Sequence, residues 1–75
     1  MNWMKGLTPR EIEVGELVAD GKCSREIGDK LGISRRTTEH HIYSIYKKLA
    51  LNNRWELISR VLSQRYAAAG APRAL

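Results

Sequence analysis

With a single cysteine, Cys23, the 75-residue chain cannot form an internal disulfide, and a reducing compartment such as the cytoplasm is its natural setting. It lacks any apolar run near the ~20 residues that span a bilayer, and its N-terminus lacks the basic-then-apolar plan of a signal peptide, so a soluble intracellular protein is expected. A chain this short hides only roughly 60% of the surface it exposes when unfolded, which leaves little room for a substrate pocket. No serine, histidine and carboxylate set converges, and the single serines at helix starts are explained by capping, so an enzyme is not expected. There is no HExxH, no cysteine–histidine framework, no strand signal and no internal repeat. His40 and His41 are adjacent, so on a helix they point about 100° apart and do not share a metal, and neither metal nor cofactor is expected. Acidic residues are scarce in one half of the chain. Residues 1–33 carry 5 basic and 6 acidic groups, whereas residues 34–75 carry 8 basic and 2 acidic groups within an overall net charge of +5. The basic half suits an anionic partner.

What the chain does have is helix punctuation. Thr8 and Glu11 form a capping box around Pro9, so a first helix runs over about 9–20 with Ile12, Val14, Leu17, Val18 and Ala19 inward and Gly21 with Lys22 at its end. Ser24 can cap a short second helix, about 25–31, with Ile27 and Leu31 inward, Gly32 as the left-handed residue that closes it, and Ile33 as a buried plug. Ser34 caps a third helix, about 35–49, after a glycine-centred gap of helix-turn-helix length. Asn53 and Glu56 repeat the capping box for a fourth, about 54–66, with Leu57, Ile58, Val61 and Leu62 as core contacts. The fold class is all-α. The expected organisation is a lead over 1–6, one domain over 7–66 and a frayed tail over 67–75. Only six residues precede Leu7, and the initial methionine and short lead favour a free-standing chain over a piece of a longer one.

On the third helix, Thr38, Ile42, Ile45 and Leu49 fall on one side, with Tyr46 at the edge. Arg36, His40, Tyr43, Ser44 and Lys47 then point outward, Glu39 lies on the shoulder, and His41 sits between the faces, half-buried. An ordinary solvated face would carry Glu and Lys pairs at i, i+4 spacing rather than this mixture of cations and hydrogen-bonding groups.

"LTPREIEV" at 7–14, Gly21, "SREIGDKLGIS" at 24–34, Thr37, His41, "KL" at 48–49 and "NR" at 53–54 together resemble the LuxR-type, GerE-like helix-turn-helix domain of NarL/FixJ-class and quorum-sensing regulators. The likeness covers residues 7 to about 62. It implies a four-helix, sequence-specific DNA-binding transcriptional regulator whose third helix enters the major groove of double-stranded DNA and whose fourth contributes to a homodimer on an inverted repeat. Carried over by position, the base-reading residues are Glu39, His40 and Tyr43. Phosphate contacts are Ser34, Arg35, Arg36, Thr37, Lys47 and Lys48, with Lys22, Arg25 and Arg54 behind them. Glutamate can accept from a cytosine amino group, histidine can donate to a purine N7, and hydroxyls, guanidinium groups and N-terminal amides suit phosphate. An intrahelical pair of Glu39 with Arg35 or Arg36 is the alternative use of that carboxylate.

Three positions depart from the family pattern. Gly15 stands where a large apolar residue is usual, Thr38 where valine is usual, and Gly28 where alanine is common. Tyr46 or one of the tryptophans filling the volume left at Gly15 would repair the first. On the fourth helix, Trp55, Ile58 or Ser59, Leu62 and Tyr66 recur at helical spacing beyond the strip needed for the core, a ridge that something should cover. A twofold contact there would set two recognition helices about 34 Å apart; the alternative is that Trp55 and Tyr66 pack on their own domain. Two rival readings remain: an antiactivator that pairs with a related transcription regulator through the fourth helix, and a sigma region-four-like domain that meets RNA polymerase.

Overall fold

A computed structural model describes residues 2–68 of the chain. Its elements are α1 (Pro9–Ala19), α2 (Ser24–Leu31), α3 (Arg35–Leu49) and α4 (Arg54–Ala68), with no strand among the described residues. Ala67 and Ala68, expected in the tail, continue α4; residues 69–75 lie outside the described part.

The capping box at α1 is complete: the Thr8 amide donates to Glu11 Oε1 at 2.9 Å and the Glu11 amide to Thr8 Oγ1 at 3.2 Å. The helix closes where Lys22 N donates to Leu17 O at 3.1 Å around Gly21, whose φ of 89° suits a residue without Cβ. At α2 the sequence expectation shifts by one residue. Cys23, not Ser24, is the N-cap, and its amide donates to Glu26 Oε1 at 2.9 Å. The carboxylate thus satisfies the N-cap amide, the reciprocal half of a capping box, and Ser24 is the first helical residue.

Val14, Val18, Ile27, Ile42, Ile45, Leu51, Leu57 and Val61 form the core, drawn from every helix. α1 lies at the centre, packed on α3 and α4, while α2 packs mainly on α3 as the first arm of the helix-turn-helix. Between the arms, Gly32 takes φ 71° and Ile33 N donates to Gly28 O at 2.9 Å. Ile33 itself is half-buried rather than a fully buried plug. Two of the departures from the family pattern meet at this turn. A Cβ at Gly28 would stand 2.7 Å from Ile33 O and 3.2 Å from Thr38 Oγ1, so glycine permits the approach. The fully buried Thr38 satisfies its hydroxyl by donating to Ser34 O at 3.0 Å, a bond valine could not make.

The six-residue lead is more than a lead. Trp3 is buried among the core residues, its amide donating to Gln64 Oε1 of α4 at 2.6 Å. A Cβ added to Gly15 would lie 2.7 Å from two atoms of the Trp3 ring, so a tryptophan does fill the space that Gly15 leaves. Tyr46 is only half-buried at the margin of the core.

Candidate nucleic-acid interface

Ser34 opens α3 with its hydroxyl engaged twice: Thr37 N donates to Ser34 Oγ at 3.0 Å and Ser34 Oγ donates to Thr37 Oγ1 at 2.9 Å. The amides of Arg35 and Arg36, one turn too early for intrahelical partners, are the ones such a cap leaves for an anion. Inward, Thr38, Ile42 and Ile45 are buried, and that anchoring fixes which residues can face out. Glu39, His40 and Tyr43 are all exposed, Tyr43 by 62%. Arg36, Thr37, Glu39, His40 and Tyr43 line one shallow depression on the outer face. A second, sharing His40 and Tyr43, continues to Ser44, Lys47 and Lys48. The Lys47 ammonium lies 5.7 Å from the centre of the Tyr43 ring, within cation–π reach, which sets the charge beside Tyr43 on the outer face. His41 is half-buried, as its place between the two faces requires.

Arg35 Nε lies 3.2 Å from Glu39 Oε2, so the intrahelical pair foreseen as an alternative for Glu39 does form. Ser44, Lys48 and Arg54 also have side-chain partners within the domain. Ser44, expected outward, donates through Oγ to Glu11 Oε2 at 2.7 Å, and Lys48 Nζ donates to Glu11 Oε1 at 2.8 Å. Glu11 is buried, and burial pushes its pKa up, but the Lys48 ammonium, the Thr8 amide and the Ser44 hydroxyl outweigh this and hold it at about 2. The reason Ser44 departs from its helical-wheel position is the strength of a buried carboxylate as an acceptor: its short side chain leans toward α1 instead of solvent. Arg54 Nη2 donates to the Lys22 carbonyl at 2.6 Å, fastening the start of α4 to the α1–α2 turn. The Lys22 and Arg25 side chains are exposed, near the start of α2.

Glu11 is the residue that sequence reasoning missed. Its role in the capping box accounts for one oxygen only, and the second, unassigned oxygen of a carboxylate on an otherwise apolar helix face was the available signal.

The bacterial regulatory proteins of the luxR family (GerE) are described by a family model that matches residues 5–61. The chain belongs to the luxR family. That family consists of DNA-binding transcription regulators and not of enzymes. Relatives of this luxR-family chain include an uncharacterized response regulatory protein, YgeK, of Escherichia coli K12, 46% identical over 56 residues that make up 75% of this chain and 38% of that protein. The transcriptional regulatory protein DesR of Bacillus subtilis 168 is 50% identical over 54 residues, 72% of this chain and 27% of DesR. LiaR of the same organism, also a transcriptional regulatory protein, is 42% identical over 50 residues, 67% of this chain and 24% of LiaR. The chain thus spans well under half the length of these relatives.

The luxR-family frame also bears on α4. Trp55, Leu62 and Tyr66 are exposed by 77%, 44% and 56%, and Ser59 is exposed between them, so they share the stripe expected from their spacing. Ile58 instead packs against the core, because it sits a quarter turn round toward Leu57 and Val61.

Proposed function

We propose that the chain binds duplex DNA with α3 in the major groove, Glu39, His40 and Tyr43 meeting base edges and Arg35, Arg36, Ser34, Thr37 and Lys47 meeting phosphates. The observation that carries this reading is the outer face of α3: three side chains suited to base edges stand exposed in a row, flanked by cations, on the second arm of a helix-turn-helix in a luxR-family domain. Lys48 and Arg54 serve it indirectly, by setting α3 and α4 on α1 and its turn; Lys22 and Arg25 are outlying phosphate contacts. The working assembly is a homodimer through the α4 ridge on an inverted repeat, in the cytoplasm. The exposure of Trp55 equally suits a related regulator in place of a second copy, which makes heterodimeric antagonism the competing reading.

Selection of bound sequences from a random duplex pool, at two salt concentrations, tests the proposal. The expected result is an enriched inverted repeat with half-sites one helical turn apart, and an affinity that falls steeply with salt as phosphate neutralisation releases counterions. His40→Ala changes which sequences are enriched, whereas Lys47→Ala weakens all of them and lowers the salt slope by about one. Retention of no duplex at low salt would sink the DNA reading.

A further inference from the structure

Arg35 is placed to do two things at once. It contacts Glu39 through Nε alone, at 3.2 Å from Oε2, and neither of its terminal nitrogens has another partner among the described residues. Glu39 Oε1 is likewise without a partner among the described residues. Both side chains are well exposed, by 70% and 52%, so an incoming ligand can reach either end of the pair. Arg35 is the first residue of α3, at the end of the helix where anions are favoured, and Glu39 is one turn further on, beside His40 in the depression on the outer face.

We infer that Arg35 is a specificity-determining positioning residue: its guanidinium bridges a DNA phosphate, through a terminal nitrogen, to Glu39 Oε2, through Nε, and thereby aims Glu39 Oε1 at a base amino group. This inference rests on the reading in which α3 occupies the major groove. Two physical problems are met by the one bridge. A bare carboxylate approaching the phosphate backbone is repelled, and the paired guanidinium neutralises it. A flexible glutamate at an exposed position samples several rotamers, and a planar fork held at both ends confines it to one. Arginine suits the task because its donors point in fixed directions along two edges of a plane, whereas lysine supplies a single rotatable point charge. The ligand class that satisfies Oε1 is a donor on the major-groove edge, the exocyclic amine of cytosine or adenine.

The test uses the best duplex from the pool selection and its variants at the base pair where Glu39→Ala relaxes preference. Affinities are measured for the full chain and for Arg35→Ala, Glu39→Ala, the double substitution and Arg35→Lys, with thermal melting as a control that these exposed substitutions leave the fold intact. Glu39→Ala should reduce discrimination at that base pair by about fivefold or more. Arg35→Ala should weaken every duplex and also remove most of the same discrimination, while the double substitution discriminates no less than Glu39→Ala alone. Arg35→Lys should restore the salt dependence but not the discrimination. If Arg35→Ala weakens all duplexes equally and leaves discrimination intact, Arg35 is a phosphate contact only and the inference fails while the groove reading stands. If Glu39→Ala relaxes no position, Glu39 reads no base and the inference falls together with that part of the proposed function.

Discussion

Gly15 illustrates how one residue can be wrong for its helix and right for its fold. Glycine inside a helix costs about 1 kcal/mol relative to alanine, yet a Cβ there would stand 2.7 Å from the Trp3 ring. Overpacking of this kind costs typically about 1–3 kcal/mol, enough to cancel or exceed the gain in helix propensity. The net cost of Gly15→Leu is then up to about 2 kcal/mol, which should lower the melting temperature by up to about 15 °C, taking about 4–8 °C per kcal/mol for a domain of this size. Combining it with Trp3→Ala should recover part of the loss, since leucine then occupies the space the ring vacates. A rise in melting temperature for Gly15→Leu alone would show that the tryptophan does not hold its place. Ala50 is the opposite case, a residue with Cβ at φ 57° where α3 ends. Its local strain is answered by Leu51 N donating to Tyr46 O at 2.8 Å, which delivers Leu51 to the core.

Between elements, the Glu11 carboxylate is the main polar link. It joins the first turn of α1 to the C-terminal half of α3 through Ser44 and Lys48, and so fixes the rotation of α3 that presents Glu39, His40 and Tyr43. Its pKa, about 2 in the fold against an ordinary value of 4.5, makes stability depend on acid. Because the folded value is the lower one, the contribution is fully present above about pH 4.5 and is lost as pH falls from there through about 2. Chemical denaturation across that window should show stability declining toward pH 2. Glu11→Gln should be less stable at neutral pH and should show a shallower decline. Glu26, held below its ordinary value by the Cys23 amide, leaves a residual slope in that variant. An unchanged pH profile in Glu11→Gln would mean that the ion pair does not persist in solution. At α4 the anchoring is again electrostatic at both ends, with Arg54 on the Lys22 carbonyl and Arg65 Nη1 2.7 Å from Asp20 Oδ1.

At the scale of the whole molecule, two exposed faces of different chemistry stand apart, one on α3 and one on α4. Residues 34–75 carry a net +6 against −1 for residues 1–33, a balance that suits a polyanion, while the Trp55, Leu62 and Tyr66 stripe is the exposed apolar area that a protein partner would cover in the proposed assembly. If that protein is a second copy, Trp55→Ala should reduce affinity for a complete inverted repeat by about tenfold or more, as loss of an interface tryptophan commonly does. Binding to a single half-site should stay unchanged, and band-shift titrations on both duplexes distinguish the two. Equal losses on both would place Trp55 outside the dimer contact; no loss on either would leave the ridge without a role in this assembly.

Much of this protein is legible from local pattern. Capping boxes, the glycine at 32 and the helical period marked the helices to within a residue or two, and the inward set Thr38, Ile42 and Ile45 already implied which side of α3 faces out. These signals act within about one turn of helix, so they survive without knowledge of the fold. What only the tertiary structure decided involves partners far apart in the chain. Ser44 and Lys48 lie 33 and 37 residues from Glu11, Arg54 lies 32 from Lys22, and Trp3 lies 61 from Gln64. No periodicity links such positions. Their pairing follows from which buried acceptors and cavities are left over once the helices have packed, because a buried carboxylate or a gap beside a glycine must be filled by whatever side chain the packing brings within reach.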